Sequence, residues 1–275
     1  AGPPLRARIS LAPDHAIRAF PGSAQTHPGN LNPPPAIIRS AVVYLLRLLV
    51  QGPGLPLNEG LLEDIDLRIP RGILSPEFPA DPALCPAVAG GNTETSQRIV
   101  GLLLKALNIA ASSQGTMNNT LFGDGSFGYY ETVCGGAGAG PGFPGADAVH
   151  THMTNTRITD PEVLEHRYPV RLERFAIRRG SGGSGQYRGG DGAVRELTFL
   201  APCSLSILSQ HRTAGPFGLA GGGPGSPGAQ YLVRADGSKV PLQSIDGRDV
   251  QPGDRLVLQT PGGGAWGPVS RPPDP

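Results

Sequence analysis

The sequence predicts an α+β protein: a mixed α/β part over residues 1–168, then a glycine-rich all-β part over residues 169–275. Three observations carry that reading. Stretches of the first part place apolar residues at helical spacing, and the runs after Val170 read as strands separated by turns. Glycine and proline, 41 and 30 of the 275 residues, gather in the connectors. Together they make up about a quarter of the chain, close to the range of low-complexity disorder. The hydrophobic fraction of 38% and the periodic segments point instead to a folded, loop-rich protein.

Taken in order, Leu5, Ala7, Ile9 and Leu11 alternate as an opening strand. The chain starts Ala-Gly-Pro-Pro without a methionine, which reads as entry into the middle of something larger. GNLNPPP, Gly29 to Pro35, is too rich in turn residues to be helical. Ala36 to Val50 follows as a helix, with Ile37, Ile38, Val42, Leu45, Leu46 and Leu49 on its apolar stripe. QGPGLPLNEG ends it, and Ile65, Leu67 and Ile69 alternate as a short strand. In GGNTETSQRIVGLLLKALNIA, Asn92 or Thr93 is expected to cap a second helix, with Glu94 in its positive first turn. Ile99, Leu102, Leu103, Ala106 and Leu107 form its expected buried face. FGYYETVCGG reads as a strand. Asp160, Pro161 and Glu162 start a short helix that must stop before Pro169. Five strand segments follow, with Asp236-Gly237 as a hairpin turn. The last five residues, RPPDP, are expected to fray.

A formal charge of +1 gives no electrostatic case for nucleic acid or an anionic membrane, and 5% aromatic residues are too few for a base-stacking platform. The longest apolar run, Ala41 to Leu46, is too short to span a bilayer, and no signal peptide opens the chain. The three cysteines form no C-x-x-C pair, so reduced thiols and a cytoplasmic location are expected.

Side chains able to do chemistry are densest in VHTHMTNTRITDPEVLE, Val149 to Glu165. On a strand, His150 and His152 would project their rings from one face. They could then supply two metal ligands, with a third from Glu131, Asp147 or Asp160, or simply hydrogen-bond within a polar loop. Gly140, Gly142 and Gly145 match G-x-G-x-x-G, as do Gly180, Gly182 and Gly185, but neither set leads into an expected helix, so neither reads as a nucleotide site. Cys134 is expected to pack as a small apolar residue. Asn92, Glu94, Ser96, Gln97 and Arg98, with Gln114, Asn118 and Asn119, could orient an amide or carboxylate substrate; capping and loop hydrogen bonds explain part of that set.

In order, the stretches GNLNPP, PLNEG, GNTETSQRIV, ASSQGTMNN, GYYETVCGGAGAGPG, VHTHMTNTRITDPEVLEHRYPV, RRGSGGSGQYRGGDGAVREL and GDRLVLQTPGGG resemble the hydantoinase B / 5-oxoprolinase family across nearly the whole chain. The resemblance implies a hydrolase that opens a cyclic amide, 5-oxoproline or a hydantoin, in an ATP-dependent reaction. A hydantoinase A-type partner would bind the ATP. A divalent metal is expected in the complete protein, in an Asp/His-rich amino-terminal half that this chain does not resemble, so no metal ligand is assigned here and the fragment alone is expected to be inactive. The family's Asp-Phe-x-Gly turn reads Ala19-Phe20-Pro21-Gly22 in this chain. Within that expectation, Arg98 or Arg157 would hold a substrate carboxylate. Asn118, Asn119 and Asn155 would bind the amide or developing oxyanion, and His150 or His152 would transfer protons. The alternatives are a non-catalytic assembly module of the same complex, or part of a related ATP-dependent ketone carboxylase.

Overall fold

A computed structural model describes residues 2–13, 16–50, 56 and 58–269. The RPPDP tail and most of the QGPGLPL turn lie outside the described residues. The chain divides into two compact units, Ala1–Ile109 and Ala110–Pro275. The class is α+β. No helix among the described residues is long and apolar enough to cross a membrane.

In the first unit, β1 (Arg8–Leu11) runs antiparallel to β2 (Ala16–Ala19), and β2 runs parallel to β3 (Ile65–Arg68). A parallel pair needs a crossover connection, and α1 (Pro35–Leu49) lies in it. Pro35 occupies the first helical turn, where its missing N–H costs nothing, and Ile38, Ala41, Val42 and Leu45 are buried. A second helix, α2 (Ser96–Ala106), packs against α1 and buries Ile99, Val100, Leu103 and Leu104.

The expected cap of α2 at Asn92 or Thr93 is not what forms. A π-helical turn, Gly91–Thr95, precedes α2, and Asn92 and Thr93 sit inside it. Thr93 Oγ1 bonds back to the Ala89 carbonyl at 3.3 Å. The helix starts earlier because Gly91 lets its backbone touch the GNLNPPP connector: an added Cβ would lie 2.3 Å from the Pro33 nitrogen. Glu94, buried, is held within this turn.

The second unit pairs two antiparallel sheets around one core. One sheet has the order β11-β8-β4-β5, from β4 (Asn119–Gly123), β5 (Gly128–Glu131), β8 (Cys203–Leu208) and β11 (Ile245–Val250). The other has the order β10-β9-β12-β7-β6, from β6 (Val170–Arg178), β7 (Gly192–Phe199), β9 (Ala229–Val233), β10 (Lys239–Pro241) and β12 (Arg255–Gln259). Phe122, Leu205 and Ile207 of the first sheet share a buried cluster with Leu197, Phe199, Leu232 and Leu256 of the second. Leu164 of a short helix, α3 (Pro161–Arg167), joins them. The Asp236-Gly237 turn joins β9 to β10 as expected, with Gly237 at φ 85°. The boundary expected at residue 168 falls inside this unit, because β4 pairs with β8, Thr120 opposite Ile207.

The glycine-rich connectors are the unit's other structural device. Extended stretches around residues 137, 190 and 263 lie side by side, joined by Gly190 N–H to the Ala137 carbonyl at 2.9 Å and Gly263 N–H to the Gly190 carbonyl at 2.8 Å. A Cβ on Gly263 would stand 1.9 Å from the Ala137 oxygen, so glycine is required there by close approach. Residues of both G-x-G-x-x-G stretches take part: a Cβ on Gly145 would meet the Ala137 oxygen at 2.1 Å, and one on Gly182 the Gly189 oxygen at 2.0 Å.

Candidate functional site

The polar segment is anchored at both ends. Val149 forms an antiparallel bridge with Gly135, its N–H bonding the Gly135 carbonyl at 2.9 Å. At the other end Asp160 accepts the Glu162 N–H at 3.0 Å as the N-cap of α3, Pro161 follows at the first helical position, and the helix stops before Pro169. Between the anchors the chain does not continue as a strand. His152 and Met153 form a turn in which His152 adopts φ 56°, and Thr154 closes it with its N–H and Oγ1 on the Thr151 carbonyl. The expectation that both imidazoles leave one strand face is therefore overturned: a residue in the left-handed region breaks the period of two.

Desolvation shifts both rings toward the neutral form. Desolvation lowers the His150 pKa, and it brings that of His152 down to about 4. His150 Nδ1 is buried and has no hydrogen-bond partner among the described residues. A neutral imidazole can accept a proton, though the low His152 pKa makes that ring the weaker acceptor. Asn155 and Arg157 project into solvent.

Asn118 and Asn119 sit differently. Both are buried. Asn118, at φ 48°, donates to Gln114 Oε1 at 2.7 Å and to the Val133 carbonyl at 3.0 Å, and accepts from Arg212 Nη2 at 2.8 Å. Asn119 donates to the Leu208 carbonyl at 2.9 Å and accepts from Tyr130 Oη at 2.5 Å. Arg98 belongs to the first unit, one helical turn after Glu94. Desolvation lowers its guanidinium pKa, and the Glu94 charge opposes that shift.

The residues considered as a third metal ligand are each engaged elsewhere. Asp147 takes a two-pronged contact from Arg188 Nη2 at 2.8 and 2.9 Å, and Asp160 caps α3. Glu131 forms a buried bidentate pair with Arg195, Nε to Oε1 at 2.7 Å and Nη2 to Oε2 at 2.9 Å. Among the described residues no three His, Cys, Asp or Glu side chains converge on one point. Burial raises the thiol pKa of Cys134, in keeping with its expected packing role.

Two groups went unnoticed in the sequence. Arg212 holds Asn118 and also donates to Gln230 Oε1 at 2.8 Å. Tyr129 Oη joins Glu131 Oε2 at 2.9 Å to Thr159 Oγ1 at 3.0 Å, so the buried pair reaches the end of the polar segment. Arg195 on the face of β7 that otherwise carries Ala193, Leu197 and Phe199 was the available signal.

The family model described as Hydantoinase B/oxoprolinase matches residues 2–269. The chain belongs to this family. It is 48% identical to 5-oxoprolinase 1 of Arabidopsis thaliana, over 96% of this chain and 20% of that protein. Against the 5-oxoprolinase of Saccharomyces cerevisiae the identity is 46%, over 96% of this chain and 22% of that protein. The chain thus spans about a fifth of the length of these curated relatives. Its fold is also that of the ATP-dependent caprolactamase from Pseudomonas jessenii, at TM-score 0.77 and 26% identity, covering 96% of this chain and 48% of that one. An acetone carboxylase shares the fold at TM-score 0.77 and 16% identity, covering 95% of this chain and 41% of that one. Such a hydantoinase B/oxoprolinase domain, belonging to a family of hydrolases with ATP-dependent relatives, is the setting of the polar segment.

Proposed function

We propose that this chain forms the substrate-facing part of a complete protein that opens a cyclic amide, 5-oxoproline or a hydantoin, by ATP-dependent hydrolysis. A hydantoinase A-type part binds the ATP, and the rest of the B-type polypeptide completes the site, including the divalent metal. The observation that carries the reading is the 48% identity to a 5-oxoprolinase along 96% of the chain.

The chain's own residues have distinct parts in it. His150 and His152, shifted toward the neutral form by burial, take up and return protons. Asn155 and Arg157, both exposed, meet the amide oxygen and a substrate carboxylate. Arg98 is the alternative carboxylate partner. Asn118 and Asn119, saturated by Gln114, Arg212, Tyr130 and backbone carbonyls, act by holding the surrounding frame.

Alanine at His150 and at Asn155 in the complete protein, with partner and ATP present, tests this. Lost lactam opening in an intact assembly is the expected result. That saturation also favors a second reading, an assembly module with all chemistry elsewhere, and full turnover by both variants would establish it.

A further inference from the structure

A cleft of about 340 Å³ lies beside the end of the polar segment, over the β6–β7 ladder. Ile158, Pro161, Leu172 and Phe175 give it apolar walls, and Thr159 and Arg195 supply polar atoms. Its volume is in the range of small-molecule pockets. A β-bulge between Leu172 and Arg174 interrupts the ladder at this point, a feature that commonly re-aims side chains beside sites.

Arg195 is the unusual member. It is 2% exposed, its Nε and Nη2 are taken by Glu131, and Phe175 lies over its guanidinium at 5.3 Å. Nη1 has no hydrogen-bond partner among the described residues. The structure thus holds a rigid guanidinium in the cleft wall, with one nitrogen uncommitted to the fold.

The local charges decide what fits. Glu131 neutralizes Arg195. The other charged lining residues, Glu173 and Arg174, offset each other; Glu173 also pairs with Arg171 at 2.7 Å, and Arg174 faces Glu196 at 3.9 Å. A free carboxylate would lose its water and gain no net attraction. A neutral carbonyl oxygen satisfies Nη1 without that penalty, and saturated ring carbons match the four apolar walls. A ring N–H is within the chemistry of Thr159 Oγ1, which keeps acceptor capacity beside the Tyr129 bond.

We propose that this cleft is a second binding subsite, separate from the contacts assigned to Asn155 and Arg157, for the uncharged ring of a cyclic amide, with Arg195 Nη1 donating to the ring carbonyl oxygen. The ligand class rests on the lactam-opening function proposed above, whereas the cleft and its donor stand on geometry. The 275-residue chain is titrated with 2-pyrrolidinone, and with acetate as the charged control, while the backbone amide resonances of residues 158–160 and 172–175 are followed by NMR. Saturable shifts with 2-pyrrolidinone and none with acetate are expected. Phe175→Trp, at a partly exposed wall position, should fill the cleft and weaken binding about tenfold or more, the cost of roughly 1.4 kcal/mol. Because Arg195 alone cannot be removed without stranding Glu131, the pair is replaced together, Glu131→Gln with Arg195→Met, and binding should vanish while circular dichroism stays native. Absence of saturable shifts, equal binding by acetate, or unchanged affinity in Phe175→Trp would overturn the proposal. Binding is read here and not turnover, so failure leaves lactam opening standing, just as active His150 and Asn155 variants would leave the cleft standing.

Discussion

The glycine connectors and the His150–Arg157 segment are both irregular, yet they are built in opposite ways. Around Ala137, Gly190 and Gly263 the chain is fixed by backbone hydrogen bonds between segments that have no side chains to separate them. From His150 to Arg157 the backbone is held mainly at its ends, by the Gly135 bridge and the α3 cap, and closed once by Thr154. The first arrangement commits its backbone groups to cross-links between neighboring segments. The second leaves imidazole, amide and guanidinium groups on a loop that a stiff frame positions, the usual division between scaffold and site.

That contrast breaks most sharply under substitution. Gly263→Ala places a methyl 1.9 Å from the Ala137 oxygen, and overpacking against backbone should cost about 3 kcal/mol or more, read from denaturant unfolding of the second unit's signal. Arg195→Met strands a buried carboxylate, for a loss of about 3–5 kcal/mol, whereas Glu131→Gln with Arg195→Met should cost clearly less. A double change as damaging as the single one would show that the pair itself, and not the stranded charge, sustains the fold. Asp160→Ala removes the α3 cap at about 1 kcal/mol, visible as a small fall in Tm.

Protonation probes the segment from another side. The folded-state pKa of His152 is about 4 against an ordinary 6.5, so the unfolded chain binds the proton first on acidification. Its contribution to stability is therefore present above pH 6.5 and is lost as pH falls from 6.5 toward 4. His152→Gln should lose less stability than the parent between pH 7 and pH 4.5 in paired unfolding curves. Identical pH slopes would mean that the ring is not desolvated as described.

Much of this was legible in sequence where the signal is local. The α1 helix, the Asp160-Pro161 start of α3 and the Asp236-Gly237 turn each depend on neighbors a few residues away, and each forms, though of the expected α1 stripe only Ile38, Val42 and Leu45 are buried and Leu49 is exposed. What escaped depends on partners far along the chain. Glu131 and Arg195 are 64 positions apart, and the bond between Arg212 and Asn118 spans 94, so neither pairing leaves a periodic trace. The start of α2 was misjudged because Gly91 answers to Pro33, not to its own helix. The two histidines share a spacing that implies a strand only if backbone geometry stays extended, and His152 in the left-handed region ends that.

The smallest expected structural effect falls at the residue proposed to meet the amide oxygen. Asn155 is exposed, and Asn155→Ala should change stability by less than about 0.5 kcal/mol. The direct test of the account is ATP-dependent opening of 5-oxoproline by the complete protein carrying Asn155→Ala. The account predicts an unchanged Tm with turnover reduced about a hundredfold, the scale of one lost oxyanion donor. Turnover equal to the parent's would contradict it and leave the segment as scaffold.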